Sequence, residues 1–186
     1  MYSAGVEQAL RASLAAHTGQ HRKGHTDLPY VSHPVHVALM LARLGVDELL
    51  IQAALLHDVV EDCDGWTLAR VADEFGSEVH DLIAPLTDPE GESWEIRKEY
   101  GIEKAASMDV RCATVKAADK LHNLSSLVAA VRAASSAEEA WKPFSRGKET
   151  TLAMSRRLVE VLAPRVDARL GQALRDTMSE LEQLAR

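Results

Sequence analysis

The sequence predicts an all-α fold, and three observations carry that prediction. Apolar residues recur at the three-and-four spacing of a helix face along most of the chain. Breakers and caps such as Thr18-Gly19, Pro29, Asp47, Thr67, Gly76, Pro89, Gly91 and Pro143 cut that pattern into helix-sized pieces. No convincing alternating apolar–polar run, internal repeat or low-complexity tract competes with it.

Residues 3–17 read as a first helix, with Val6, Leu10 and Leu14 as its apolar stripe. A polar loop follows from Gln20 to Ser32, containing Gly24, Asp27 and Pro29 and carrying Arg22 and Lys23. Pro34 suits the first position of a second helix through Val37, Leu41 and Leu44 to Gly45, which puts His33 at a helix entrance. Asp47 is the expected cap of a third helix running to about Cys63. Thr67 caps a short helix ending at Phe75-Gly76, and Ser77 caps another to about Leu86. After a polar turn from Thr87 to Ser93 come a charged helix, Trp94 to about Ala106, and a mostly buried one from Met108 toward Arg132. Ser135-Ser136 marks a helix start or linker, Pro143 breaks it, and 148–162 and 165–185 close the chain as amphipathic helices.

With 186 residues the chain suits one well-buried core, so a single domain over 1–186 is expected. Its net charge of −7 argues against nucleic acid or an anionic membrane as partner, since both ask for a basic field. A small anionic substrate needs only a local basic patch and is not excluded. Cys63 and Cys112 form no CxxC pair, which fits a reducing cytoplasm. No run approaches the ~18 apolar residues of a membrane span, and the N-terminus lacks a basic-then-apolar leader, so an unsecreted protein off the membrane is expected. The oligomeric state is not legible.

The chemistry concentrates in Ala53 to Asp62. His57 and Glu61 are four apart, as are Asp58 and Asp62, so on a continuous helix each pair shares a face among Ala53, Leu56, Val59 and Val60. Burying a bare carboxylate costs several kcal/mol, on the order of the desolvation penalty of an ion, and a metal ion offsets it. The plain alternative is an acidic helix end facing water behind a hydrogen-bonded histidine. A second island, Lys116 to Asn123, places Asp119 and Asn123 on one face. Together with His33, the chain offers two imidazoles and two carboxylates from three segments. That donor mix suits Mn²⁺, Fe²⁺, Zn²⁺ or Mg²⁺ and a hydrolase that keeps positions open for water and substrate.

Four ordered blocks now stand out: Arg22-Lys23, Leu28 to Pro34, Ala53 to Asp62, and Lys116 to Leu124. In that order they resemble the HD superfamily of metal-dependent phosphohydrolases, and within it the small alarmone hydrolases of the RelA/SpoT type. The resemblance covers about Ala15 to Leu127. It implies a compact helical HD-domain bundle, with 148–185 completing it, that removes the 3′-pyrophosphate of (p)ppGpp or a related nucleotide with one Mn²⁺, in the chemistry of the stringent response. Carried over, His33, His57, Asp58 and Asp119 would be metal ligands, and Glu61 and Asp62 would position and deprotonate the attacking water. Asn123, Arg22, Lys23 and Arg146 match substrate-contacting positions. Where the family often has a lysine this chain has Trp94, followed by Arg97 and Lys98, and Trp94 reads as a core or lid residue. His17, His21, His25, His36, His80 and His122 match no ligand role.

Other readings remain at this stage. A hydrolase of ppApp or NADPH would use the same metal site. A two-metal phosphodiesterase would need more histidines between His57 and Asp119, where only His80 stands. A silent nucleotide-binding module would be expected to have lost ligands, yet all six metal and water-activating positions are present.

Overall fold

A continuous helix through the His57-Asp58 motif is the main sequence expectation that the fold corrects. In the computed structural model, which describes residues 2–23, 27–89 and 91–186 (without the side chains of 137 and 138), helices make up all the regular structure among the described residues. Gly24 and His25 fall outside them. Two compact units are present, Met1–Gly91 and Glu92–Arg186.

The first unit contains α1 (Ala4–Ala16), α2 (Ser32–Leu44), α3 (Glu48–Leu56), α4 (Val59–Asp62), α5 (Leu68–Phe75) and α6 (Ser77–Ile83). Its centre is α3, which packs against α1, α2 and α6. A helix contacted on three sides needs apolar residues on most of its circumference, and Leu50, Ala53, Ala54, Leu55 and Leu56 are all buried. The Asp47 carboxylate caps it by accepting from the Leu49 and Leu50 amides.

The buried face of α1 is not the predicted leucine stripe. Ala9 and Ser13 are buried while Leu14 is about half exposed, because α1 lies so close to α3 that a Cβ on Gly5 would sit 2.8 Å from Gln52 Nε2. Small residues set that approach, and larger ones are turned to its flanks. At α2, helix geometry begins at Ser32 rather than Pro34, and the Ser32 and His33 amides donate to the Pro29 and Tyr30 carbonyls (3.1 and 2.8 Å). Pro34 remains inside the first turn, where an amide would have no helical acceptor anyway. Gly45 ends α2 in the left-handed region (φ 81°), a conformation that favours glycine. A one-residue shift occurs at Ser77, which follows its cap Gly76, and the last helix starts three residues later than 165, at Ala168 behind its cap Asp167.

The second unit contains α7 (Trp94–Ser107), α8 (Val110–Ala133), α9 (Ala137–Trp141), α10 (Gly147–Leu162) and α11 (Ala168–Leu184). Here α8 is the central element, packed against α9, α10 and α11, while α7 lies on α10. Leu124, Leu162, Leu174 and Leu181 are among the largest side chains fully buried in its core. Gly171 on α11 meets the Ala163 carbonyl so closely that any β-carbon would overlap it.

Candidate metal centre

The helix break builds the site. In an unbroken helix the Ala54 carbonyl would accept the Asp58 amide, but His57 Nδ1 lies 2.8 Å from that oxygen and takes it instead. A side chain inserted into the helical ladder is a recognised cause of a kink. Asp58 turns to φ −99°, ψ −8°, and the chain resumes as the single turn α4, with the Asp62 amide on the Asp58 carbonyl (2.9 Å). The expected i,i+4 stacking on one uniform helix is thereby replaced by a bend, with His57 and Asp58 at its vertex.

The same hydrogen bond fixes the His57 tautomer. Only an N–H can donate to Ala54, so Nδ1 carries the proton and Nε2 presents its lone pair. That nitrogen lies 3.2 Å from Asp58 Oδ1, and His33 Nε2 lies 3.5 Å from Asp58 Oδ2. His33, His57 and Asp58 thus offer three ligand atoms within 4.8 Å of one another. Both imidazoles are buried, and their rings meet edge to face at 5.1 Å. Two nitrogen donors converging on a carboxylate inside protein call for a cation or a proton between them. Imidazole and carboxylate donors suit a borderline or hard divalent ion, and a ring nitrogen anchored on a backbone carbonyl is the usual support of such a ligand. The residues fit a divalent metal.

Tyr30, which the sequence reading cited only within a block, belongs to this group. Its hydroxyl donates to Asp58 Oδ2 at 2.6 Å, and its ring lies 4.8 Å from His17 and 5.8 Å from His33. Arg22 sits with its guanidinium carbon 5.5 Å from the Tyr30 ring centroid. The loop holding Arg22 is pinned by an isolated bridge between His21 and Pro29, in which the Arg22 amide donates to Leu28 and the Tyr30 amide to Gln20. Lys23 is lowered from its ordinary pKa by partial burial.

The carboxylates one turn on are held separately. Glu61 Oε1 accepts the Asp88 amide at 2.6 Å. Asp62 is an exposed residue whose carboxyl group is nevertheless crowded by protein, and its pKa rises through loss of water and then through the negative charge of Asp58. Tyr30, by hydrogen bonding, and the His17 and His57 rings act in the opposite direction. Behind α4, Gln20 Nε2 donates to the Asp62 carbonyl (2.6 Å) while Gln20 Oε1 lies 2.7 Å from His17 Nδ1. His17, with no ligand role in the sequence reading, is a buried packing and hydrogen-bonding residue. His21 and His36 are exposed, and His80 pairs with Asp81 at 2.9 Å.

The remaining site candidates lie in the second unit. Asp119 and Asn123 face each other on α8, Asn123 Nδ2 donating to Asp119 Oδ1 at 2.5 Å, and His122 is half-buried beside them. Lys120 Nζ donates to Ser155 Oγ at 2.8 Å, and burial lowers its pKa to about 8 against the pull of Asp119. Arg146 is exposed and pairs with Glu95 through Nε at 2.7 Å. Trp94 opens α7 half-buried, so it is not part of the closed core, and Arg97 and Lys98 follow it on the first turns. Neither Cys63 nor Cys112 is in a disulfide, and both are buried. No described helix is long and apolar enough to cross a membrane.

A family model described as an HD domain matches residues 9–149. The human guanosine-3′,5′-bis(diphosphate) 3′-pyrophosphohydrolase MESH1 is 40% identical over 127 residues, 67% of this chain and 70% of that protein. A probable GTP pyrophosphokinase of Mycobacterium leprae is 39% identical over 128 residues, 64% of this chain but only 15% of its own length. Among solved structures, one described as a metazoan ortholog of SpoT that hydrolyzes ppGpp and plays a role in starvation responses superposes with a TM-score of 0.83. It is 30% identical and covers 97% of each chain.

Proposed function

From the premise that this chain belongs to the HD domain family, we propose that it is a metal-dependent pyrophosphohydrolase releasing the 3′-pyrophosphate of (p)ppGpp or a related alarmone. The observation that carries the reading is the His57 Nδ1–Ala54 bond, which aims Nε2 at the point where His33 and Asp58 also present donors. The names of the human relative and of the superposed structure supply the substrate class. The family match runs through both units, which supports one domain over 1–186.

A single Mn²⁺, when bound, supplies Lewis acidity that makes water a better acid and offsets charge on phosphoryl oxygens. His33, His57 and Asp58 hold it, and Asp119 is a further ligand on the strength of its sequence block. Glu61 and Asp62 receive the proton of the attacking water, and the Asp88 amide keeps Glu61 in place. Arg22 offers a planar cation for stacking and Lys23 a point charge for phosphate. Asn123 and Arg146 complete the substrate contacts, Arg146 exchanging its Glu95 partner for phosphate. The partner is thus a small nucleotide and not a nucleic acid, in keeping with the net charge of −7. A cytoplasmic setting fits the two cysteines outside any disulfide.

The test is product analysis by ion-exchange chromatography after incubation with ppGpp, ppApp and NADPH, each with Mn²⁺ and with EDTA. Metal-dependent pyrophosphate release from ppGpp is expected. Turnover of NADPH alone would reassign the substrate, and no turnover by metal-loaded protein would favour a silent nucleotide-binding module.

A further inference from the structure

Tyr30 touches several of the site's parts at once. Its hydroxyl donates to Asp58 Oδ2 at 2.6 Å, its ring stands edge-on to His33, and Arg22 lies over it. The Asp62 carboxyl also lies within hydrogen-bonding reach of the phenol. The buried His17 imidazole, which Gln20 holds through Nδ1, also packs on the ring at 4.8 Å. A tyrosine packed in this way has little rotational freedom, so its hydroxyl is a fixed donor rather than an opportunistic one.

We infer that Tyr30 is a positioning residue that joins two functions: its hydroxyl orients Asp58 toward the metal, and its ring holds the Arg22 side chain where substrate is received. The inference rests on the pyrophosphohydrolase reading above. A carboxylate can turn about its terminal bond, and only one orientation directs Oδ1 and Oδ2 toward His57 and His33 together. The hydrogen bond to Oδ2 selects that orientation before metal arrives. Support of this kind at a ligating carboxylate is worth about 10- to 100-fold in metal affinity. The ring acts separately, through the face it offers to the guanidinium.

Two substitutions separate the two roles. Tyr30→Phe keeps the ring and removes the hydroxyl, and Tyr30→Leu removes both. Mn²⁺ binding to each metal-free protein is measured by calorimetry, and KM for ppGpp is measured at saturating Mn²⁺. Tyr30→Phe is expected to weaken Mn²⁺ by about 10-fold or more with KM unchanged, and Tyr30→Leu to weaken Mn²⁺ and also raise KM. Should Tyr30→Phe bind Mn²⁺ as tightly as wild type, or raise KM for ppGpp as much as Tyr30→Leu does, the separation of the two roles is overturned. His33→Ala is the separate control: if it keeps wild-type Mn²⁺ affinity, the donor set itself has been misassigned.

Discussion

Two groups of ionisable side chains held mostly out of water, one in each unit, are treated in opposite ways. In the first unit His33, His57 and Asp58 converge, each oriented by a neighbour: His57 by Ala54, Asp58 by Tyr30, His33 by its place in the first turn of α2. In the second unit the half-buried Lys120 has Ser155 as its hydrogen-bonding partner and Asp119 as its neighbouring countercharge, with a pKa pulled down to about 8. The first arrangement leaves like-natured donors facing one another, which is useful only if something cationic fills the gap. The second gives an ammonium a hydroxyl partner and a nearby carboxylate but gathers no converging ligand atoms. Convergence, rather than burial by itself, distinguishes a functional group from a structural one.

The largest expected effect is on the first group. Asp58→Asn should weaken Mn²⁺ by about 100-fold or more, as loss of a ligand exceeds loss of its support. Stability of the metal-free protein should not fall, because Asp58 repels Asp62 there. Calorimetry and a thermal melt in EDTA check both halves, and a large loss of metal-free stability would make Asp58 structural.

An intermediate effect is expected at Lys120. Below about pH 8 the lysine is charged in both folded and unfolded chains, so the folded state bears the full cost of burying it. Between about 8 and the ordinary 10.5 the unfolded chain holds the proton and the folded chain has lost it, so stability rises with pH through that window. Asp119, Lys98 and Lys116 are the charges acting on it. Lys120→Met should remove the rise and stabilise the protein at pH 7 by on the order of 2 kcal/mol. Denaturant midpoints from pH 7 to 10.5 test this, and an equal slope in the variant would assign it elsewhere.

The smallest effect belongs to the exposed pairs. Arg157 grips Glu99 through two nitrogens (2.5 and 2.7 Å) and draws its carboxyl below the usual range. Both groups are solvated, so Arg157→Ala should leave the melting temperature within error in physiological salt.

This contrast also explains what could be read from the sequence. Helical spacing and caps were legible because they are local: Asp47 and Thr67 cap the helices predicted of them, and Ser136 starts α9. The face of α1 was not, since Leu10 and Leu14 look like core until the close approach of Gly5 to Gln52 is known. The site divides in the same way. His57 and Asp58 announce themselves as charges in an apolar run, and His33 by its place in a block. The break between α3 and α4 depends on one imidazole capturing a backbone carbonyl, and the support from Tyr30 on a contact across 28 residues. Neither leaves a periodic trace. The sequence reading gives Tyr30 no role of its own, and the signal available for it is an aromatic residue three before a candidate ligand at a helix entrance.

Metal-dependent hydrolysis at the His33–His57–Asp58 group is tested by following pyrophosphate release from ppGpp in wild type and Asp58→Asn, each with Mn²⁺ and after EDTA. Release by wild type with Mn²⁺ alone, lost in the variant under all conditions, is the predicted result. Release that survives EDTA, or that Asp58→Asn retains at the wild-type rate, would contradict it.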